Sequence, residues 1–394
     1  MTIGFDIERA RRETRAAEAL IHFNNAGASL MPIPVSEAVH AYLRREEMMG
    51  GYEAAAAEVV AIENFYVQAG RLLNCEPAEI AFVDSASRAW TMAFYSFQFE
   101  PGDRILTTWS EYGSNVIAYN QQKERYGVET VFVPDDEQGQ VDVAALRGMV
   151  DERVKLISMT HIPTGGGTVN PLAAVGAVAK EAGIPFLVDS CQGVGQIMVD
   201  VEALGCDILC GTGRKYLRGP RGTGLLYVRQ SLVEKLEPPM LDLRSATLLA
   251  ATAYEVRGDA KRFEMWEQYL AGKVGLGVAI EYALSYGMEA IQARIYQLAA
   301  ALRAVLAGVP RVVVMDEGAE LCGIVTFRVD GWTSEAIQAE LGGRGVNVSV
   351  SSGSGSLVAF QKRGVEALVR ASVHYYNTEA EVVRFGELLA EIVG

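Results

Sequence analysis

Residues 184–224 read IPFLVDSCQGVGQIMVDVEALGCDILCGTGRKYLRGPRGTG, and this stretch decides the fold. The apolar run from Ile184 to Val188 has the length and branched content of a buried strand, and it ends in Asp189. CDILCG at 206–211 is a second run of the same kind. Lys215 follows it between two glycine-rich turns, 26 residues after Asp189. In an open α/β sheet, ligands bind beyond the carboxyl ends of the strands, so this spacing brings an acid and a lysine to one cleft.

Working outward, short apolar runs alternate with amphipathic stretches from about residue 80 to 228: AEIAFV, RILTTW, VETVFV, VKLISMT, IPFLVD, CDILCG and GTGLLYV. The alternation predicts an α/β domain whose mostly parallel sheet is covered by helices. Leu172, Val175 and Val178 share a helical face, and Gly183 suits the stop of that helix. Beyond residue 229 come long Ala- and Leu-rich helical stretches. From about 310 strand-like runs (RVVVMD, CGIVTFRV, VNVSV, LVRASVHY) surround two helical segments, which predicts a small C-terminal α+β domain. The expected division is an N-terminal segment at 1–20, a large domain at 21–260, and a long helix with the small domain at 261–394.

Composition narrows the function. A chain of 394 residues with 50% hydrophobic and 21% charged residues is long enough to bury a sizeable core. Its formal charge of -14 argues against a nucleic-acid partner, because phosphate contacts need clustered Lys and Arg. The charged N-terminus MTIGFDIERARRETRAAEAL does not read as a signal peptide, and no window has the roughly 18 apolar residues of a membrane helix. Five cysteines without a CxxC pair suggest reduced thiols and a cytoplasmic setting. GPRGTG lacks the GK[ST] ending of a P-loop, no GxGxxG opens the first βαβ unit, and no His pair has metal-ligand spacing, so no metal is expected.

Taken singly, Asp189 reads as a strand-end cap and Lys215 as a solvated loop lysine. Together they suit pyridoxal 5'-phosphate: a lysine holds the aldehyde as a Schiff base, and a carboxylate keeps the pyridine nitrogen protonated so that the ring accepts electrons. With HFNNAGASLMP from residue 22, VDSCQGVGQ, GTGRKYLRGPRGTG and RASVHYYNT, the chain resembles the class V aminotransferases over nearly its whole length. These are pyridoxal-phosphate enzymes of fold type I that include cysteine desulfurases, kynureninases and epimerases. TGRK followed by LRGPRGTG, with the C-terminal HYYNT, is most similar to the ergothioneine-pathway carbon-sulfur lyases.

The resemblance implies a set of roles. Lys215 matches the Schiff-base lysine, Asp189 the partner of the pyridinium, and Gln192 the glutamine on the phenolic oxygen. Ala86 and Ser87 in SASRAW match the phosphate loop at a helix start, where unpaired N–H groups favour an anion. Thr212 and Arg214 match further phosphate contacts, with Arg214 standing where many relatives have histidine. Tyr112 in SEYGSN matches the aromatic residue stacked on the ring, and Thr164 in THIPTGGG a position near the phenolic oxygen. Arg370 matches the clamp on the substrate carboxylate, a task for a planar fork. Asn25, Ala26 and Gly27 match the lining of the substrate side. MWEQYL at 265–270 matches a segment that reaches the neighbouring subunit's cofactor, which implies a homodimer with its site near the interface. His161 reads either as a base or as a structural strand-end histidine.

One departure bears on the reaction. Cysteine desulfurases carry a nucleophilic cysteine some 10 to 20 residues before the carboxylate arginine. Here that region is VSVSSGSGSLVAFQKRGVEALVR, without cysteine, and its Ser- and Gly-rich part at 349–356 reads as a loop over the substrate or a plain surface connection. The expectation is a lyase that eliminates sulfur from a cysteine-type amino acid without a persulfide cysteine. An aminotransferase, an amino-acid epimerase and a non-catalytic binding protein are the alternatives.

Overall fold

A computed structural model describes residues 5–394, without the side chain of Ser354. Residues 1–4 of the expected N-terminal segment lie outside the described residues. The central sheet has seven strands: β1 (Ile80–Val83), β2 (Arg104–Thr108), β3 (Glu129–Val133), β4 (Val154–Thr160), β5 (Phe186–Asp189), β6 (Ile208–Thr212) and β7 (Gly224–Val228). Their spatial order is β1-β7-β6-β5-β4-β2-β3. All neighbours run parallel except β7, which is antiparallel to both β1 and β6.

The strands are apolar on both faces because both are covered. Phe186 and Val188 of β5 join one hydrophobic cluster, whereas Leu187 between them joins the other. That is the pattern of a sheet sandwiched by helices, and it explains why these strands read as unbroken apolar runs rather than alternating ones. Helix α1 (Ala86–Phe94) carries Trp90 and Phe94 into the second cluster, and helix α2 (Gly113–Tyr126) carries Tyr119 there. Helix α3 (Leu172–Ala182) packs Leu172, Val175 and Val178 into the first and stops at Gly183, whose φ of 68° is the left-handed cap. Within α3 a Cβ on Gly176 would lie 1.9 Å from the carbonyl oxygen of Leu204, the last residue of the short helix Val201–Leu204, so this close helix-to-helix contact requires glycine.

The C-terminal part forms a four-stranded antiparallel sheet from β8 (Val312–Val314), β9 (Ile324–Val329), β10 (Ser349–Ser352) and β11 (Ala367–Ser372), in the order β8-β9-β11-β10. Two consecutive helices, Leu270–Tyr286 and Met288–Ala307, lead into it, the second packing on the final helix Glu379–Val393. Ile21–His22, expected at the start of the large domain, pairs in parallel with Val346–Asn347 beside this small sheet.

The loop expected at 349–356 is corrected by the structure. Ser349–Ser352 is β10, paired with β11, and Gly353–Arg363 is a helix kinked at Ser356. Pairing against the apolar strand β11 and packing on the large domain override the weak propensity of serine and glycine for regular structure. The structure adds the helices Ile33–Met49 and Val59–Leu73 and the hairpin of Ala246–Ala250 with Ala253–Val256, on which the sequence reading is silent. Among the described residues no helix is long and apolar enough to cross a membrane, and all five cysteines are free.

The Gly176 contact makes a direct prediction. Gly176→Ala overpacks a rigid backbone neighbour and should lower stability by about 1–3 kcal/mol. Gly148→Ala, in a helix where an added Cβ meets nothing within 4 Å, should instead raise it by about 0.5–1 kcal/mol. Urea denaturation midpoints of the two variants check the pair.

Candidate active site

The carboxyl ends of β4, β5 and β6 and the start of α1 converge on one cavity. Ser85 ends the turn after β1 in extended backbone, and its hydroxyl accepts the Arg88 N–H at 3.2 Å, which starts α1. Ala86 and Ser87 then line the cavity in the first turn, where N–H groups have no partner inside the helix. Gly224 lets this turn sit against β7: a Cβ there would be 2.9 Å from the Ser85 carbonyl carbon and 3.0 Å from the Ala86 nitrogen.

Asp189 closes β5 at the cavity edge. One carboxylate oxygen accepts the Cys191 N–H at 3.0 Å and the other the Asn115 amide at 3.2 Å. Gln192 donates its amide to the Ala26 carbonyl at 3.0 Å and to the Thr164 hydroxyl at 3.2 Å, while its Oε1 is buried with no partner. Thr212, Arg214 and Lys215 enter from the end of β6. Burial lowers the Lys215 ammonium below its ordinary value; the Arg214 and Arg370 guanidinium groups act in the same sense, against Cys191 and Asp189. Burial, then Arg221, lowers Arg214 as well. Arg214 donates to the carbonyl of Gly27.

Arg370 projects from β11 of the small sheet. It donates to the Thr164 hydroxyl at 2.7 Å and to the Thr164 carbonyl at 3.0 Å, and its Nε is buried with no partner. With no carboxylate paired to it among the described residues, burial pulls the guanidinium down to about 10. Tyr112 caps the start of α2 and lines the cavity, partly exposed. Gly355 of the kinked helix comes down beside it: a Cβ on Gly355 would be 3.4 Å from Thr164 Cγ2 and 3.6 Å from Tyr112 Cε2.

The structure thus gathers Ala86, Ser87, Tyr112, Thr164 and Asp189 around the cavity with Gln192, Thr212, Arg214 and Lys215. Arg370 reaches the same place through Thr164. Ala26 and Gly27 contribute backbone carbonyls. Asn25 does not join them: its amide donates to the carbonyls of Ser372 and His22, and its oxygen accepts the Tyr376 hydroxyl at 2.6 Å, so the side chain is spent on internal bonds. His161 is buried with Nδ1 3.1 Å from the Ser190 hydroxyl, and burial pushes it down to about 4, so it is neutral at neutral pH. Trp266 and Tyr269 of the MWEQYL segment lie exposed.

Sequence reasoning missed Trp90, Asn115, Thr160 and Cys191, which also line the cavity. Asn115 lies in the first turn of α2, three residues after the N-cap Tyr112, and belongs to the SEYGSN segment from which only Tyr112 was read as a site residue. Cys191 brings its sulfur together with Cys210 and Asp189, the three ligand-type atoms lying within 4.8 Å of one another. Burial holds the Cys210 thiol well above its ordinary range, hence protonated at neutral pH.

The residues fit pyridoxal phosphate. Gln192 Oε1, buried without a partner, stands at the cavity, and Arg370, whose Nε is also buried and unpartnered, reaches it through Thr164. The same cavity joins a helix start and a guanidinium, suited to phosphate, with an acid and a part-buried lysine, suited to the ring nitrogen and the aldehyde.

Comparison with known proteins agrees. The profile of the family "Aminotransferase class-V" matches residues 21–385. A probable cysteine desulfurase of Methanothermobacter thermautotrophicus is 28% identical, with 98% of each chain covered. A cysteine desulfurase of Serratia proteamaculans is 30% identical, with 97% of each covered. Among solved structures, an apo cysteine desulfurase from Thermococcus onnurineus superposes with a TM-score of 0.91 at 24% identity, covering 100% of this chain and 99% of that one. With the profile matched over most of its length and relatives matched end to end, the chain belongs to the class-V aminotransferase family of pyridoxal-phosphate-dependent enzymes.

Proposed function

We propose that the protein is a carbon-sulfur lyase that eliminates sulfur from a cysteine-type amino acid without forming a persulfide on itself. The observation that carries this reading is the start of the kinked helix, Gly353–Ser356. It packs beside Thr164 and Tyr112 at the mouth of the site, where the sulfur-accepting cysteine of a desulfurase is expected, and it contains no cysteine. Cys322 cannot replace it, being fully buried with its thiol pushed up to about 12 by burial. The names of the relatives support a cysteine-type substrate, and the TGRK, LRGPRGTG and HYYNT motifs support the ergothioneine-pathway lyases as the nearest subgroup.

In this reading Ala86, Ser87, Thr212 and Arg214 hold the cofactor phosphate through N–H, hydroxyl and guanidinium donors. Asp189 faces the ring nitrogen, Gln192 and Thr164 the phenolic oxygen, and Tyr112 one face of the ring. Pyridoxal phosphate, once bound, supplies a positively charged ring that takes up the electron pair left when a bond at the substrate α-carbon breaks. Arg370 grips the substrate carboxylate and fixes which α-carbon bond stands toward Lys215. Lys215, its neutral form favoured by burial, takes the α-proton. The β-sulfur then leaves with its bonding pair, and water completes the release of a 2-keto acid and ammonia.

A homodimer and a reducing cytoplasmic setting belong to the same proposal. Trp266 and Tyr269, and Leu248, Leu249 and Tyr254 on the hairpin, are exposed large apolar side chains of the kind a second copy would cover.

Product analysis tests the reaction. Incubated with cysteine and with cysteine sulfoxide conjugates, the protein should yield 2-keto acid and ammonia in equal amounts from at least one of them, and Lys215→Ala should yield neither. Alanine as the product would mean desulfuration, and stoichiometric conversion of the cofactor to its amine would mean transamination; either overturns the proposal. Arg370→Ala removes a charge-assisted bond, worth about 1.5–3 kcal/mol, so kcat/KM should fall by roughly 10- to 150-fold, mainly through KM. Steady-state kinetics of the variant measure it.

A further inference from the structure

Glu111 is 1% exposed and lies directly behind Tyr112 at the start of α2. Its Oε1 accepts the Tyr112 N–H at 2.9 Å, the Asn115 amide at 2.9 Å and the Thr160 hydroxyl. Its Oε2 accepts the Thr107 hydroxyl at 2.9 Å and the Tyr119 hydroxyl at 3.4 Å. A backbone N–H and an amide N–H can only donate, so Oε1 is held as an acceptor, while the Oε2 partners are hydroxyls that suit either protonation state. None of its hydrogen-bond partners among the described residues is a cation.

The same Asn115 amide nitrogen reaches Asp189 at 3.2 Å. One NH₂ group thus offers one hydrogen to each of two carboxylates and fixes their separation. Two buried negative charges joined by a neutral amide repel each other until a positive charge arrives in front of Asp189. The geometry points to Glu111 as a positioning residue for the protonated ring nitrogen of the cofactor, acting through Asn115 and Asp189. This inference rests on the pyridoxal-phosphate reading above and names the group that sets the charge behind its electron sink.

Burial first, with the charge of Asp189 adding to it, raises the Glu111 carboxyl to about 7 against the pull of its hydrogen bonds. The titratable groups that face it are Asp189 from β5, Tyr119 from α2 and Cys210 from β6. Burial keeps Tyr119 and Cys210 protonated near neutral pH, so Asp189 is the charge it answers to. The sign follows. Above pH 7 Glu111 is ionised and adds its attraction for a pyridinium; below pH 6 it is neutral and adds nothing.

The test uses apoprotein of wild type, Glu111→Gln and Asn115→Ala, titrated with pyridoxal phosphate and followed by the visible band of the bound cofactor. At pH 8 Glu111→Gln should bind about tenfold more weakly than wild type, the tenfold corresponding to a shift of about one pKa unit. At pH 5.5 the two should bind alike, and the pH midpoint of the band should drop in the variant. Asn115→Ala should lose affinity at pH 8 as well, and the double variant should lose little more, since the two residues act as one unit. Equal affinities at both pH values, or a loss of the same size at both, would assign Glu111 a merely structural role and overturn the inference. Should Glu111→Gln fail to fold, an Asn115→Ala protein with wild-type affinity would overturn it equally. Wild type that forms no visible band at all would instead sink the pyridoxal-phosphate reading, which separates the two failures.

Discussion

The segment Phe23–Gly27 is threaded between the two sheets, and the working distance between Lys215 and Arg370 depends on it. Phe23 donates to the Asn347 carbonyl at 2.9 Å and accepts the Ser372 N–H at 2.7 Å, which ties it to the small sheet two residues from Arg370. Ala26 donates to the Ser372 hydroxyl at 2.9 Å. From the other side, Gln192 and Arg214 donate to the Ala26 and Gly27 carbonyls, and Ser29 donates to the Arg214 carbonyl at 2.9 Å. These five residues, which turn at Asn25–Gly27, therefore carry hydrogen bonds from β11 to the loops that follow β5 and β6. Backbone groups buried at such a junction must be paired or cost about 1–3 kcal/mol each, so the pairing fixes the relative placement of the two sheets.

A second tie explains why two distant motifs belong together. Arg218, three residues after Lys215, is 1% exposed and adopts a φ of 58°. It donates to the Leu30 carbonyl at 2.8 Å, the Tyr375 hydroxyl at 3.0 Å and the Thr14 hydroxyl at 2.5 Å, and its guanidinium lies 4.3 Å from the Tyr376 ring centroid. A buried guanidinium is tolerable only when its donors are used, and the aromatic faces add cation–π attraction. LRGPRGTG and HYYNT are thus two halves of one staple that locks the lysine loop to the N-terminal region and the small sheet. Their pairing in sequence is first a statement about rigidity around Lys215, and only through that about chemistry.

The sequence was most legible where burial is two-sided. β5 and β6 read directly because a parallel strand covered on both faces shows an unbroken apolar run, and the residues that end such strands fall at the cleft by topology alone. Elements whose partners are distant in sequence were hidden. The helix Ile33–Met49 has no side-chain cap at its start and only three buried residues, so its pattern is faint. The strand β10 is serine-rich and owes its form to β11. In the site, residue type and spacing pointed to the acid, the lysine and the arginine. They could not distinguish Asn25, whose amide is spent on Ser372 and Tyr376, from a residue that lines the site. Nor could they separate Glu111 from a solvated loop acid, because only the tertiary fold closes Thr107, Thr160 and Tyr119 around it.

The kinked helix Gly353–Arg363 brings these constraints to bear on the choice of reaction. A sulfur acceptor on a mobile loop needs room to approach the substrate and to swing out to a partner. Here a Cβ on Gly165 would lie 2.5 Å from the Ser356 hydroxyl and 2.9 Å from the Phe360 ring, so the helix start is seated closely on the loop that carries Thr164. Thr164 in turn accepts from both Arg370 and Gln192. The cover over the site is therefore joined by direct contact to the residues proposed to hold the substrate carboxylate and the cofactor oxygen. In the proposed reading, a cover seated in this way suits chemistry completed between substrate, cofactor and Lys215, with small products leaving by diffusion.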